Sequence, residues 1–166
     1  MHVDTQLEAA LRALDHWPRF RLRLFFEGIV VGILSGTVIS FFRWGLEMGT
    51  VWRQWIYANV LASGGVLLNL SWFGVLLAAA LLLWRLGIYE PNAGGSGIPQ
   101  VKGVILGAIR MRWLRILWVK LIGGIVGIGL GLSLGREGPS IQIGAVTAQG
   151  LSRALGRTRM EERYLI

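Results

Sequence analysis

Long apolar stretches without charged residues dominate the pattern along this chain. No Asp, Glu, Lys or Arg lies between Arg53 and Arg85, and residues 28–42 form a second charge-free stretch. About 20 predominantly apolar residues are enough to cross a bilayer as a helix. The pattern therefore predicts two membrane-spanning helices, over about 22–57 and about 71–89.

The first 21 residues follow a different pattern, with apolar side chains at helical spacing among polar ones (Leu7, Ala10, Leu11 and Leu14). This spacing predicts an amphipathic helix that Pro18 ends, lying on the cytoplasmic membrane surface. A cytosolic helix packed on the rest of the protein fits equally well. We therefore divide the chain into an N-terminal segment, 1–21, and a transmembrane domain, 22–166.

After residue 89, glycine and proline interrupt the apolar pattern twice. The interruptions end at Pro99 and Pro139, and proline is well suited to the first position of a helix. They predict two short helices, over about 100–108 and 139–155, on either side of an apolar segment at 113–134. Irregular backbone is tolerated at membrane depth only inside protein or along a watery cavity. Helix N-termini that point into such a cavity attract anions, so the pattern predicts an anion pathway.

Composition supports the membrane assignment, since 54% of the residues are hydrophobic and only 16% are charged. Soluble domains carry about a quarter charged residues. The chain holds no cysteine, which excludes disulfides and thiolate metal sites. His2 and His16 lack partners at ligand spacing, so we expect no metal and no other cofactor.

The net charge of +8 could indicate a nucleic-acid partner, but the basic residues flank the apolar segments instead. They form three clusters: Arg12, Arg19, Arg21 and Arg23; Arg110, Arg112 and Arg115; and Arg153, Arg157, Arg159 and Arg163. This arrangement fits the positive-inside rule and excludes a nucleic-acid-binding face. It predicts a cytoplasmic N-terminus and a cytoplasmic location for the region after residue 153.

Two pentapeptides carry a family resemblance: Gly95-Ser96-Gly97-Ile98-Pro99 and Gly135-Arg136-Glu137-Gly138-Pro139. Their order, their separation of about 40 residues and Lys120 before Gly123-Gly124 resemble the N-terminal signatures of the CLC family of voltage-gated chloride channels and chloride/proton antiporters. One departure is Gln100, where the family often has an acidic residue.

The resemblance implies an all-α integral membrane protein with tilted and broken transmembrane helices. The chain would form the N-terminal half of a CLC-type inverted-repeat domain, truncated at its C-terminal end. The complete protein would be no enzyme but a channel or antiporter, moving chloride with or without protons. It would be a homodimer in a lipid bilayer, the bacterial inner membrane.

Ser96, Gly97, Ile98, Arg136 and Gly138 are the residues that we expect at the anion site. Ser96 offers a hydroxyl donor beside the amides of Gly97 and Ile98, and a passing anion needs a few weak donors. Alternatively, Ser96 only caps the following helix. Arg136 would stabilise its loop or add positive potential near the pathway.

Glu137 and Lys120 are the ionisable residues of greatest interest in the apolar part of the chain. A carboxylate at a helix start can mimic the anion and, once protonated, swing aside, so Glu137 is predicted to be both gate and proton acceptor. A salt bridge with Arg136 is the alternative, although adjacent helical residues do not face each other. Lys120 would raise the potential for anions or snorkel towards an interface.

Three other functions compete with chloride transport. The anion could be nitrate or fluoride, or Glu137 could be the general acid or base of a membrane enzyme, for which no second catalytic group is found. The chain could also be an inert or regulatory half-protein that needs a partner. Residues 161–166 have the pattern of a beginning helix, which favours a partial chain.

Overall fold

The computed structural model describes the backbone of residues 2–62 and 64–166 and the side chains of residues 22–62 and 64–166. Within these residues the chain is helical, with no strand. The helices are α1 (His2–Ile56), α2 (Val66–Tyr89), α3 (Ile98–Ile105), α4 (Trp113–Gly129), α5 (Glu137–Ala154) and α6 (Arg159–Leu165). A π-helical turn, Tyr57–Leu61, extends α1, and a 3-10 turn, Pro91–Ala93, follows α2. The all-α prediction is confirmed.

The sequence predicted that a helix ends at Pro18. In the structure α1 instead continues through Pro18 without a break. Pro18 removes one backbone hydrogen bond but leaves the helix continuous, and good helix formers lie within two turns on either side of it, among them Leu14 and Leu22. The side chains of residues 1–21 lie outside the described residues, so the amphipathic interpretation of this segment stays a prediction.

Two helical stretches are long and apolar enough to cross a membrane by length and composition, Leu22–Leu61 and Val66–Tyr89. The second begins five residues earlier than expected. Gly65 is its N-cap, with an extended backbone, and the Asn69 amide already donates to the Gly65 carbonyl. Both predicted helices are therefore present, with the length and composition that a spanning helix needs.

The short helices α3 and α5 also begin earlier than expected, at Ile98 and Glu137 instead of after or at the prolines. Pro99 and Pro139 lie inside the first turn, where the missing N–H costs nothing because first-turn amides have no partner within a helix. α4 ends at Gly129 and not near residue 134, because Gly131 adopts a left-handed conformation with φ +108°.

The helices pack around α4 and α5. Phe42 and Leu46 of α1, Leu121 of α4 and Ile143 of α5 form one buried cluster. Gly49 of α1 lies so close to α4 that a Cβ atom there would be 2.9 Å from the Gly129 Cα. Small residues permit such close approach of membrane helices. No residue of α2 is buried, and α2 contacts the others mainly through α4.

One end of the molecule gathers much of the positive charge. The Arg157 guanidinium, just after α5, donates to the Glu27 carboxylate of α1, which also pairs with Arg23. The stretch of α1 around Glu27 therefore lies beside the carboxyl end of α5. The motifs at the amino ends of α3 and α5 lie one helix length away from the carboxyl ends of the same helices.

Candidate functional site

The amino ends of α3 and α5 meet in space, although about 40 residues separate them in sequence. A Cβ atom added to Gly138 would lie 2.7 Å from the Ser96 carbonyl oxygen and 2.9 Å from the Ser96 Cα. No side chain larger than hydrogen fits at this point without displacing the Ser96 backbone. Gly138 is thus the residue that allows the two motifs to touch.

Gly97 turns the chain into α3 with a left-handed backbone, φ +81°, which favours glycine. Gln142 of α5 packs against Gly97. A Cβ atom added to Gly97 would lie 2.6 Å from the Cβ atom of Gln142. Gln142 is fully buried, and its Nε2 donates to the Asn92 carbonyl at 2.7 Å. One α5 side chain therefore fixes both ends of the loop that precedes α3.

A cavity of about 460 Å³ lies where the two motifs meet. Its walls come from α2, from both motif loops and from α4, and they include Ser96, Lys120, Gly135, Gly138 and Pro139. Apart from Ser96 and Lys120, the side chains that line it are aliphatic or absent. The cavity is therefore a mostly apolar space into which one hydroxyl, one ammonium group and the motif backbone bring polar groups.

Lys120 is buried, and its Nζ donates to the Gly95 carbonyl at 2.7 Å. The side chain therefore does not snorkel to an interface, which was one of the two alternatives for this residue. The bond joins the middle of α4 to the first motif and keeps a positive charge on the wall of the cavity. A charge in this position attracts anions whether or not it touches them.

Ser96 lies on the cavity wall and also meets the start of α3. Its Oγ accepts a hydrogen bond from the Ile98 amide at 3.4 Å, which is long for such a bond. The hydroxyl hydrogen remains available to donate elsewhere. Gly97 is buried against Gln142 and Ile98 is half exposed. Neither residue lines the cavity.

Glu137 is the first residue of α5 and is exposed. Among the described residues its carboxylate makes no hydrogen bond and no ion pair, and it does not line the cavity. Arg136 forms no pair with it and lies instead in a separate cavity of about 280 Å³ with Arg53. The Arg136 carbonyl accepts from the Ser140 hydroxyl at 2.8 Å, so its backbone belongs to the start of α5.

Sequence reasoning missed several polar groups that build this site. A glutamate at the end of an apolar helix is typical of a membrane interface, but Glu90 is buried and its Oε1 accepts from Asn92 Nδ2 at 3.2 Å. No pattern in the sequence marks Gln142. Gln100 bonds back to the Gly94 carbonyl at 3.3 Å, closing the first motif loop on itself. Their importance depends on contacts between distant parts of the chain.

Comparison with known families gives a match over the second half of the chain. Residues 74–166, which include both motifs, match the sequence model of the voltage gated chloride channel family. The match covers more than half of the chain and ends at its last residue.

Individual proteins similar to this chain are H(+)/Cl(-) exchange transporters named ClcA. That of Vibrio cholerae serotype O1 is 34% identical over 132 residues, covering 76% of this chain and 27% of the transporter. That of Yersinia pseudotuberculosis serotype IB is 33% identical over 134 residues, covering 81% and 28%. That of Salmonella schwarzengrund is 36% identical over 138 residues, with the same coverage. The chain thus spans little more than a quarter of the length of these relatives.

Proposed function

The chain belongs to the voltage-gated chloride channel family, and on this premise we propose that the complete protein moves chloride across a membrane. The family's proteins are integral membrane proteins, and the relatives named above are transporters, not enzymes. This chain supplies the front part of the transport domain, with the two motifs that border the cavity between α3 and α5. Proton-coupled exchange, as the names of the relatives state, is the form of transport that we propose.

The contact between Gly138 and Ser96 is the observation that carries the proposal. It brings two helix amino ends to one cavity, and the first-turn amides of each helix have no partner within the helix. Each helix end also carries a partial positive charge from its dipole. Two such ends, the Ser96 hydroxyl and the nearby Lys120 ammonium make a setting that attracts a small anion.

Donors as weak as the Ser96 hydroxyl and the backbone amides suit the passage of an anion better than its permanent binding. An ion that crosses must exchange its hydration shell for protein groups and then leave again. The guanidinium of Arg136 lies in the neighbouring cavity and does not contact the motif cavity. We propose that Ser96 and the backbone amides of the motif residues that line the cavity bind the anion, while Lys120 and Arg136 act on it through their potential.

Glu137 is proposed as the gate and the proton acceptor. Its position at the first turn of α5 places a carboxylate at the positive end of the helix dipole. Because it has no partner in the described part of the chain, no ion pair has to break when the side chain rotates towards the cavity. Protonation removes the attraction to the helix end and leaves that position to the anion.

The membrane context of the proposal follows from charge and family. We propose that the protein lies in a bacterial inner membrane with its N-terminus in the cytoplasm, and that the complete protein is a homodimer. Nitrate or fluoride is the second candidate for the transported ion, since a serine hydroxyl and backbone amides can donate hydrogen bonds to any small anion.

Anion efflux from liposomes that contain the complete protein tests the proposal. Vesicles loaded with potassium chloride should release chloride once the membrane potential is cancelled by a potassium ionophore, and the external solution should become alkaline as protons enter. Competition with nitrate and with fluoride ranks the anions. Protein-free vesicles are the control, and equal chloride release from both preparations would reject the proposal.

A further inference from the structure

A second cavity, of about 540 Å³, lies at the opposite end of α3 and α5, and it is lined largely by polar side chains. It is lined by the loop between α3 and α4, by the last turns of α5 and by α6. Five arginines line it: Arg110, Arg112, Arg153, Arg159 and Arg163. The cavity unites two of the basic clusters that are separate in the sequence.

Most of this positive charge is not neutralised by the described part of the chain. Glu162 is the one acidic residue that lines the cavity, and it pairs with Arg153 at 3.5 Å and accepts from Gln149 at 2.6 Å. Five arginines and one glutamate leave a formal charge of +4. The other four guanidiniums form no ion pair with the described residues.

Part of this charge has an ordinary explanation, because basic residues stabilise the carboxyl ends of helices and flank membrane spans. That explanation accounts for Arg153 in the last turn of α5. It does not require that three different segments aim their arginines at one concave space. Arg163 is held there, since its guanidinium lies against Gly107, where φ is +78°.

The chemistry of the cavity fits a phosphate group better than a passing chloride ion. A guanidinium donates two parallel hydrogen bonds to phosphate oxygens, and several guanidiniums around one group bind it firmly. A site on a chloride route must release its ion quickly. The five arginines therefore indicate an anion that stays bound and accepts several hydrogen bonds.

The surroundings indicate that this anion has an apolar part. Leu106, Met160 and Tyr164, which neighbour cavity residues in the chain, are exposed by 70%, 62% and 73%. The depth of the cavity in the bilayer rests on the proposed function: with the transport site at the amino ends of α3 and α5 inside the bilayer, the carboxyl ends of these helices, and with them the cavity, lie towards the headgroup region. Basic pockets between membrane helices at that level bind anionic lipid headgroups.

We propose that this cavity binds the phosphate headgroup of an anionic phospholipid, with the acyl chains along the exposed apolar side chains. The inference concerns a site separate from the transport cavity and does not depend on which ion is transported. Lipid bound there would tie the α3–α4 loop to α6 and so stabilise the carboxyl ends of α3 and α5.

Binding of phosphatidylglycerol to the complete protein in phosphatidylcholine nanodiscs tests this proposal. The test variant is Arg110→Gln/Arg159→Gln, since both side chains are exposed and unpaired in the described residues. The control is Arg43→Gln/Arg85→Gln, which removes the same charge from exposed positions outside the cavity. We expect the cavity variant to bind phosphatidylglycerol on the order of tenfold more weakly than the control. Thermal unfolding in pure phosphatidylcholine should match for both variants.

Two results would overturn the proposal. Equal phosphatidylglycerol affinity in the cavity variant and the control would show that the arginines form no specific site. Displacement of the lipid by millimolar inorganic phosphate would assign the cavity to a soluble phosphate compound and reject the lipid. If the cavity variant unfolds early, the single variant Arg110→Gln is compared with Arg85→Gln in the same assay.

Discussion

Glu137 and Ser96 differ in their relation to the cavity, and this difference sets what each can do. Ser96 is part of the cavity wall, so its hydroxyl can contact an anion without any movement. Glu137 is exposed at the first turn of α5 and must rotate before its carboxylate reaches the cavity. The first residue is therefore suited to selectivity and the second to gating.

Replacing Glu137 by Gln should abolish the pH dependence of transport while chloride still moves. The amide has the shape of the protonated acid but cannot exchange a proton or compete with the anion through its charge. Wild-type chloride efflux should rise as the pH falls, because protonation frees the site, and efflux through the variant should be the same at each pH. Chloride and proton fluxes in liposomes measure both effects.

Glu47→Gln is the matched control for this experiment. Glu47 is also an exposed glutamate on an apolar helix, but it lies on α1 and lines none of the cavities described above. Its variant should keep the wild-type pH dependence. Persistent proton coupling in the Glu137 variant would remove Glu137 from the gating role.

Replacing Ser96 by Ala should reduce the preference of the site for one anion over another. The hydroxyl is one weak donor, worth about 1 kcal/mol, which corresponds to a change of roughly fivefold in the selectivity ratio. Chloride and nitrate fluxes from the same vesicles measure this ratio. Ser71→Ala, which removes an exposed hydroxyl on α2 that bonds only to the Leu68 carbonyl, is the control. An unchanged ratio would leave Ser96 with its capping bond to Ile98.

At the scale of the helices, the site depends on how closely α3 and α5 approach each other. Gly138 and Gly97 are both covered by parts of the opposite element, Ser96 and Gln142 respectively. The short helices themselves were predicted from their prolines, within a few residues at each end. Their contact was not predicted, because it depends on α4 and α5 bringing the two loops together.

Gly138→Ala should therefore disturb the site much more than an equivalent change elsewhere on α5. The new methyl group would overlap the Ser96 backbone, and overpacking of this kind costs about 1–3 kcal/mol. We expect chloride flux to fall at least tenfold and the midpoint of thermal unfolding to decrease. The same liposome assay and a thermal melt of the purified complete protein measure the two effects.

Gly144→Ala provides the comparison on the same helix. There the added methyl group would meet only Ile39 Cδ1 at 3.5 Å, an ordinary contact, and alanine favours the helix. Its flux should equal that of the wild type, and its stability should be equal or higher. Equal behaviour of the two alanine variants would contradict the close contact between the motifs.

At the scale of the whole molecule, the basic clusters predict its orientation in the membrane. Most arginines of the second and third clusters line one cavity, and Arg157 pairs with Glu27 of α1. Much of the positive charge therefore lies at one end of the molecule, away from the cavity at the two motifs. By the positive-inside rule, that end should face the cytoplasm.

Single cysteines can test this orientation, because the chain contains no cysteine of its own. Met160→Cys, at an exposed position beside the basic cavity, should react with a membrane-impermeant maleimide only after the cells are opened. Leu132→Cys, exposed after the end of α4, should react in intact cells. The complete protein must carry no other cysteine. The reverse labelling pattern would show the opposite orientation.

Sequence alone was enough to identify the helical class, the two helices long enough to span a membrane, the two short helices that begin at the motifs, and the family. These features follow from local patterns: uninterrupted apolar runs, prolines that suit a first helical turn, and two motifs with their separation. Each can be recognised without knowing what touches what.

Which groups share a space became clear from the folded chain alone. Folding buried Glu90 and Gln142, bound Lys120 to Gly95, placed Arg136 outside the motif cavity and gathered distant arginines into a second one. The physical reason is that burial and potential depend on residues far apart in the chain, brought together by the packing of α1, α4 and α5. A pattern along the sequence specifies each helix, but not the neighbour that covers it.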